Sequence, residues 1–271
     1  DQRARAIAAW LQAHAPVCAR AMLLYPPGLD YIAAYFGCLY AGVVAVPAYP
    51  PRLNRPMPRL QGIVADAQAT VALSTTSILS SLERRFSHLP DLAALRWLDT
   101  ARLDAGSETA WRPPAITPET LAFLQYTSGS TSAPKGVMVS HGNLITNLAM
   151  IFTGFQMNSR QCGAFWLPSY HDMGLIGGIL EPMYLGGPST LMSPAAFLQQ
   201  PGRWLQTIMD YGSPHGTISG APNFAYALCV DKVTPEERAK LDLSRWHVAF
   251  CGAEPIRPEA LDRFAEAFAP C

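Results

Sequence analysis

Short apolar runs alternate with helix-like segments along almost the whole chain, and this alternation constrains the fold more than any other feature. Runs with strand character are AMLLY (21–25), VVAVP (43–47), TVALS (70–74), LAFLQY (121–126), VMVS (137–140), AFWL (164–167), GTIS (216–219) and VAFCG (248–252). Helical patterns are expected near 28–41, 57–67, 77–86, 141–154, 173–181, 201–212, 221–231 and 257–268. A further amphipathic helix opens the chain, with Ile7, Trp10 and Leu11 at helical spacing. Short buried strands separated by helices specify the α/β class, with layered, largely parallel sheets and flanking helices. A Pro-rich stretch (47–58) and a polar stretch (99–119) read as loops, too short to be interdomain linkers.

Composition narrows the function classes. The chain has 271 residues, with 20 Lys and Arg against 20 Asp and Glu, so the formal net charge is zero. That balance excludes a basic nucleic-acid-binding surface by bulk charge, and 49% hydrophobic residues exclude a disordered chain. Charged residues make up only 15%, against about 25% in an average soluble domain. The six cysteines form no C-x-x-C pair and read as reduced thiols of a cytosolic protein, with no zinc site. Both ends look cut, so the chain is expected to be a piece of a longer protein. The uncharged stretch Tyr31–Pro51 is long enough to span a membrane. Gly42 nevertheless suits a helix C-terminus, and VVAVP is a β-branched run ended by Pro47, so a helix followed by a buried strand is the better reading.

The strongest chemical signal is LQYTSGSTSAPKGVMVSHGN (124–143). An apolar strand runs into a loop of hydroxyls and glycines carrying one lysine, followed by a second strand and a helix starting near Ser140 or His141. Such a loop offers hydroxyls and unhindered N–H groups to phosphate oxygens, and Lys135 supplies a cation. The spacing fails the G-x-x-x-x-G-K-[ST] pattern, because Lys135 precedes Gly136. G-x-G-x-x-G after a strand, G-x-S-x-G and H-E-x-x-H are also missing from the sequence.

YTSGSTSAPKG resembles the signature loop of the adenylate-forming superfamily. SYHDMGLIGGILEPMYLGGP (169–188), FCGAEPIRPEAL (250–261) and the YPPGLDYIAAYFGCLYAGVVAVPAYPPR segment resemble fatty acyl-AMP ligases in particular. The resemblance runs over 1–271 and implies part of that family's N-terminal AMP-binding domain, an acyl-CoA synthetase-like fold, with the C-terminal domain absent. It implies that a fatty acid carboxylate attacks the α-phosphorus of ATP, with Mg²⁺ present, giving acyl-AMP and pyrophosphate. The acyl group would then pass to an acyl carrier protein of a polyketide or peptide synthase. An isolated fragment is expected to turn over negligibly.

Carried over by motif, the phosphate-binding residues are Thr127, Ser128, Gly129, Ser130, Thr131 and Lys135. Family members often have Gly where Ser132 stands. The nucleotide-binding turn is Gly252, Ala253, Glu254 and Pro255. His171 is placed near the acyl carboxylate, and His171 and Lys135 are the catalytic candidates. From the residues alone the favoured reading is a packing histidine, with Asp172 as an N-cap. Gly177, Gly178, Gly220 and Ala221 leave room for a hydrocarbon tunnel that Met183, Phe224 and Tyr226 can line. No metal ligand is assigned. Two alternatives stay open: an acyl-CoA synthetase, and a non-catalytic nucleotide- or lipid-binding module.

Overall fold

The computed structural model describes residues 1–49, 57–127 and 134–271, which divide into two compact units, Asp1–Thr146 and Asn147–Cys271. In the first unit the elements follow as α1 (Gln2–His14), β1 (Arg20–Leu24), α2 (Leu29–Ala41), β2 (Val44–Ala48), α3 (Pro58–Ala67), β3 (Val71–Ser74), α4 (Thr76–Glu83), α5 (Pro90–Ala93), β4 (Arg96–Asp99), β5 (Leu121–Thr127) and β6 (Lys135–Ser140). They build a six-stranded sheet of order β4-β3-β1-β2-β5-β6. All its pairs are parallel except β5 with β6. Strands β1, β2 and β3 are apolar on both faces and buried almost throughout, as a parallel sheet covered by helices requires.

The stretch long enough to cross a membrane is the helix and strand expected. α2 ends at Gly42, whose φ of 70° is left-handed and whose N–H bonds back to Cys38 and Leu39. Among the described residues no helix is long and apolar enough to cross a membrane. Pro47 does not end the strand: β2 continues to Ala48, with Pro47 opposite Leu23 of β1. On its other side β2 meets β5 only where Ala45 faces Phe123, so the missing proline N–H falls beyond that ladder.

Helix α6 (His141–Gly154) contains the division between the units. It starts where the sequence placed it, because Ser140 and Asn143 exchange side-chain-to-backbone hydrogen bonds at its first turn. The second unit continues with β7 (Cys162–Phe165), a π-helix (Met173–Leu180), α7 (Glu181–Leu185), β8 (Ser189–Leu191), α8 (Pro194–Gln199), α9 (Gly202–Tyr211), β9 (Thr217–Ala221), α10 (Asn223–Lys232), α11 (Pro235–Arg238), β10 (Trp246–Cys251) and α12 (Pro258–Phe268). Its sheet, β10-β9-β7-β8, is wholly parallel.

Two departures from expectation have clear causes. β7 ends at Phe165 and not at Leu167, because Trp166 leaves the ladder to stack on Phe197 at a centroid distance of 3.8 Å. Its apolarity served an aromatic core around Trp204 and Tyr226, not a strand. β4 and β8 were not anticipated; both are short, lie at sheet edges and carry few buried residues.

Candidate active site

The loop predicted to hold phosphate lies between β5 and β6. Ser128, Gly129, Ser130, Thr131 and Ser132 fall outside the described residues. Its two ends are described. Thr127 closes β5, Lys135 opens β6, and the two are register partners in the antiparallel ladder. The Thr127 carbonyl accepts a hydrogen bond from Arg59 at 2.8 Å. Gly136 does not need a left-handed backbone; it is small because a Cβ there would meet Tyr126 Cζ at 2.9 Å. The Tyr126 hydroxyl in turn donates to Asp66 on α3 at 2.5 Å.

In the second unit, β7, β9 and β10 run parallel, so their carboxyl ends share one edge. The segments carrying His171, Ala221–Asn223 and Gly252–Pro255 all leave from that edge, where ligands bind in open α/β sheets. His171 Nδ1 lies 2.7 Å from Asp172 Oδ1, both side chains being about half exposed. That hydrogen bond raises the His171 pKa and lowers that of Asp172. Asp172 also accepts from the Met173 N–H at 2.6 Å, so it caps the π-helix. The His171 side chain is thus half exposed, not packed in the core, and its bond with Asp172 biases it toward the charged form.

The turn after β10 is strained. Ala253 has φ of 67°, a left-handed conformation uncommon for a residue with a side chain. Glu254 accepts a hydrogen bond from the Phe224 N–H at 2.8 Å, and Asn223 donates to the Arg257 carbonyl at 3.3 Å. These bonds clip the turn to the start of α10. With the Glu254 side chain so engaged, the turn offers a ligand mainly its backbone.

A cavity of about 360 Å³ opens beside this turn. Its wall includes Ile151, Phe155, Met157, Ile218 and Phe250, with Asp172, Gly252 and Ala253 among its other residues. A larger cleft of about 720 Å³ between α10 and α12 is lined by charged side chains such as Asp231, Arg257 and Arg263, and is less suited to a hydrocarbon. Of the tunnel residues suggested by sequence, only Gly177 lines the apolar cavity. Met183 is exposed, Phe224 lines the charged cleft, and Tyr226 is buried in the aromatic core. Gly178 packs on Phe165, Gly220 lies against Phe250, and Ala221 is buried in that same aromatic core.

Sequence reasoning missed Glu181, which also lines the cavity. The reason is the helix type. An α-helix turns about 100° per residue, so nine residues put Asp172 and Glu181 on opposite faces. The segment between them is a π-helix, in which the Glu181 N–H reaches Ile176 O, five residues back. With roughly 4.4 residues per turn for such bonding, nine residues make about two full turns and return to the same face. The one available signal was a lone charge in the uncharged run MGLIGGIL-E-PMYLGGP. Glu181 is only 2% exposed, and burial raises its pKa from 4.5 to about 7.

Among the described residues, no group of three or more His, Cys, Asp and Glu could hold a metal ion.

A parallel α/β sheet with an apolar cavity and a backbone turn at its carboxyl edge is the arrangement in which open α/β proteins bind small ligands. The chain belongs to the AMP-binding enzyme family, whose model matches residues 1–271. It is 47% identical to the medium-chain-fatty-acid–acyl-carrier-protein ligase JamA of Moorena producens, over 100% of this chain and 46% of that protein. It is 37% identical to the long-chain-fatty-acid–AMP ligase FadD23 of Mycobacterium tuberculosis, over 97% of this chain and 45% of the relative. Among solved structures, the fatty acyl-adenylate ligase from L. pneumophila in complex with acyl adenylate and pyrophosphate aligns with a TM-score of 0.89. It is 43% identical, covering 99% of this chain and 46% of that one. The chain thus spans about half the length of the relatives it matches.

Proposed function

We propose that the whole protein containing this chain activates a fatty acid with ATP and passes the acyl group to an acyl carrier protein. The observation that carries this reading is the apolar cavity whose wall joins the Asp172 cap, next to His171, to the Gly252–Ala253 turn. The names of JamA, FadD23 and the L. pneumophila ligase support the same chemistry. A carboxylate oxygen attacks the α-phosphorus of ATP, the bond to the β-phosphate oxygen breaks, and pyrophosphate leaves. No protein nucleophile is needed; the chain's contribution is positioning and charge stabilisation.

His171, biased toward its charged form by Asp172, orients the carboxylate. The alkyl chain enters the cavity, gaining about 0.8 kcal/mol per buried methylene. Gly252, Ala253, Glu254 and Pro255 take the nucleotide through their backbone. Thr127, Ser128, Gly129, Ser130, Thr131 and Lys135 take the phosphates, with Mg²⁺ as the expected counterion, on the strength of the resemblance. The six cysteines, unpaired in the structure, suit a reducing compartment such as the cytosol.

The test is fatty-acid-dependent exchange of labelled pyrophosphate into ATP, followed by product analysis with carrier protein and with CoA. Exchange and acyl-carrier product are expected. No exchange with any fatty acid would favour a non-catalytic binding module, and a CoA thioester as main product would favour an acyl-CoA synthetase.

A further inference from the structure

Glu181 sits in the cavity wall at 2% exposure, and among the described residues neither of its carboxylate oxygens has a hydrogen-bond partner. A carboxyl group buried without a partner costs free energy that an alkyl side chain of similar size would not. The other acid in the wall, Asp172, is half exposed and is bonded through Oδ1 to His171 and the Met173 N–H. The rest of the wall is mostly aliphatic and aromatic, with Ile176, Ile218 and Phe250 contributing, and its amide side chain, Asn147, makes no hydrogen bond to Glu181. No donor is supplied by the described residues, and the cavity is the space from which a ligand can supply one.

Over the nine residues from Asp172 to Glu181 the helix rises on the order of 10 Å. A chain whose carboxylate lies at the His171 end therefore meets Glu181 with its distal carbons, not with its reacting group. Resting on the fatty acid reading above, we infer that Glu181 is a specificity-determining residue that selects acyl chains bearing a hydroxyl group distant from the carboxylate. A hydroxyl can donate to and accept from a neutral carboxyl group, which satisfies both partners within an apolar wall. The raised pKa of Glu181 supports this, since the neutral form is then well populated near pH 7. An ammonium group would have to be stripped of water into the same apolar space, a costlier transfer. Sites built to bond a hydroxyl discriminate strongly against analogues lacking it, because the site's own polar group is left unpaired.

The experiment compares the whole wild-type protein with its Glu181→Leu and Glu181→Gln variants by pyrophosphate exchange. The probes are length-matched acids: unsubstituted, hydroxylated at mid-chain or terminal positions, and terminally aminated. Wild type should prefer one hydroxylated isomer over the plain acid. Glu181→Leu should shift that kcat/KM ratio at least tenfold toward the plain acid, and Glu181→Gln, which can still donate and accept, should retain most of the preference. An unchanged ratio in Glu181→Leu would overturn the inference, as would preference for the aminated acid. Either failure leaves the fatty acid reading intact if plain acids support exchange; that reading fails only if none does. Thermal melts of both variants check folding, and if Glu181→Leu does not fold, loss of the ratio in Glu181→Gln decides against the inference.

Discussion

The Glu254 carboxylate accepts a hydrogen bond from the Phe224 backbone N–H at 2.8 Å, joining the turn after β10 to the first turn of α10. Glu254 thus acts as a helix cap supplied by a different segment, and it fixes a turn whose Ala253 is left-handed. Replacing it with Ala should cost about 1 kcal/mol of stability, the usual value of a cap. If the turn presents its backbone to the nucleotide, Glu254→Ala should raise KM for ATP more than KM for the fatty acid. Steady-state kinetics with each substrate varied in turn checks this.

His171 and Asp172 predict a pH dependence. The hydrogen bond raises the His171 pKa, so the charged imidazole persists to higher pH than for an isolated histidine. Fatty acid kcat/KM should fall as pH rises through that raised value. Asp172→Asn removes the cause of the shift, so the fall should move to lower pH. Profiles for both proteins over the same range make the comparison, and superimposable profiles would count against the pairing.

Glu181 predicts a pH dependence of stability. Below pH 4.5 the carboxyl group is neutral in folded and unfolded chains alike, and no penalty arises. Between 4.5 and about 7 the unfolded chain ionises while the folded chain keeps its proton, so the folded state binds more protons and stability falls with rising pH. Above about 7 the penalty is complete. Glu181→Gln lacks this dependence, so its melting temperature relative to wild type should climb across that window and then level off.

Gly174 is a steric requirement. A Cβ there would lie 2.2 Å from the Pro168 carbonyl oxygen and 3.0 Å from that of Leu167, both backbone atoms that cannot swing aside. Gly174→Ala should destabilise by about 1–3 kcal/mol or more and lower fatty acid activation further than ATP binding. Chemical denaturation and nucleotide titration separate the two effects.

Much of this was legible in the chain. The two parallel layers followed from short buried runs such as TVALS and AMLLY, whose apolarity has no other use in a sheet covered on both faces. The start of α6 was legible because Ser140 and Asn143 cap it locally. The apolar cavity was legible only as a composition, not as a wall. Tyr226 and Phe224 look alike in sequence, yet one joins the aromatic core and the other faces a charged cleft. Which way each turns depends on partners such as Trp204 and Glu254, distant in the chain. Glu181 was hidden by a different cause, a π-helical winding that nothing in the run MGLIGGIL announces.

That wider winding also makes pocket shape depend on helix type. Over about two turns this π segment holds nearly two residues more than an α-helix would. If the same nine residues rewound as an α-helix, Glu181 would swing to roughly the face opposite Asp172. The polar group would leave the wall without any change in its own identity. In this fold a change of helix winding, and not only a substitution, can take a buried carboxyl group out of the pocket wall.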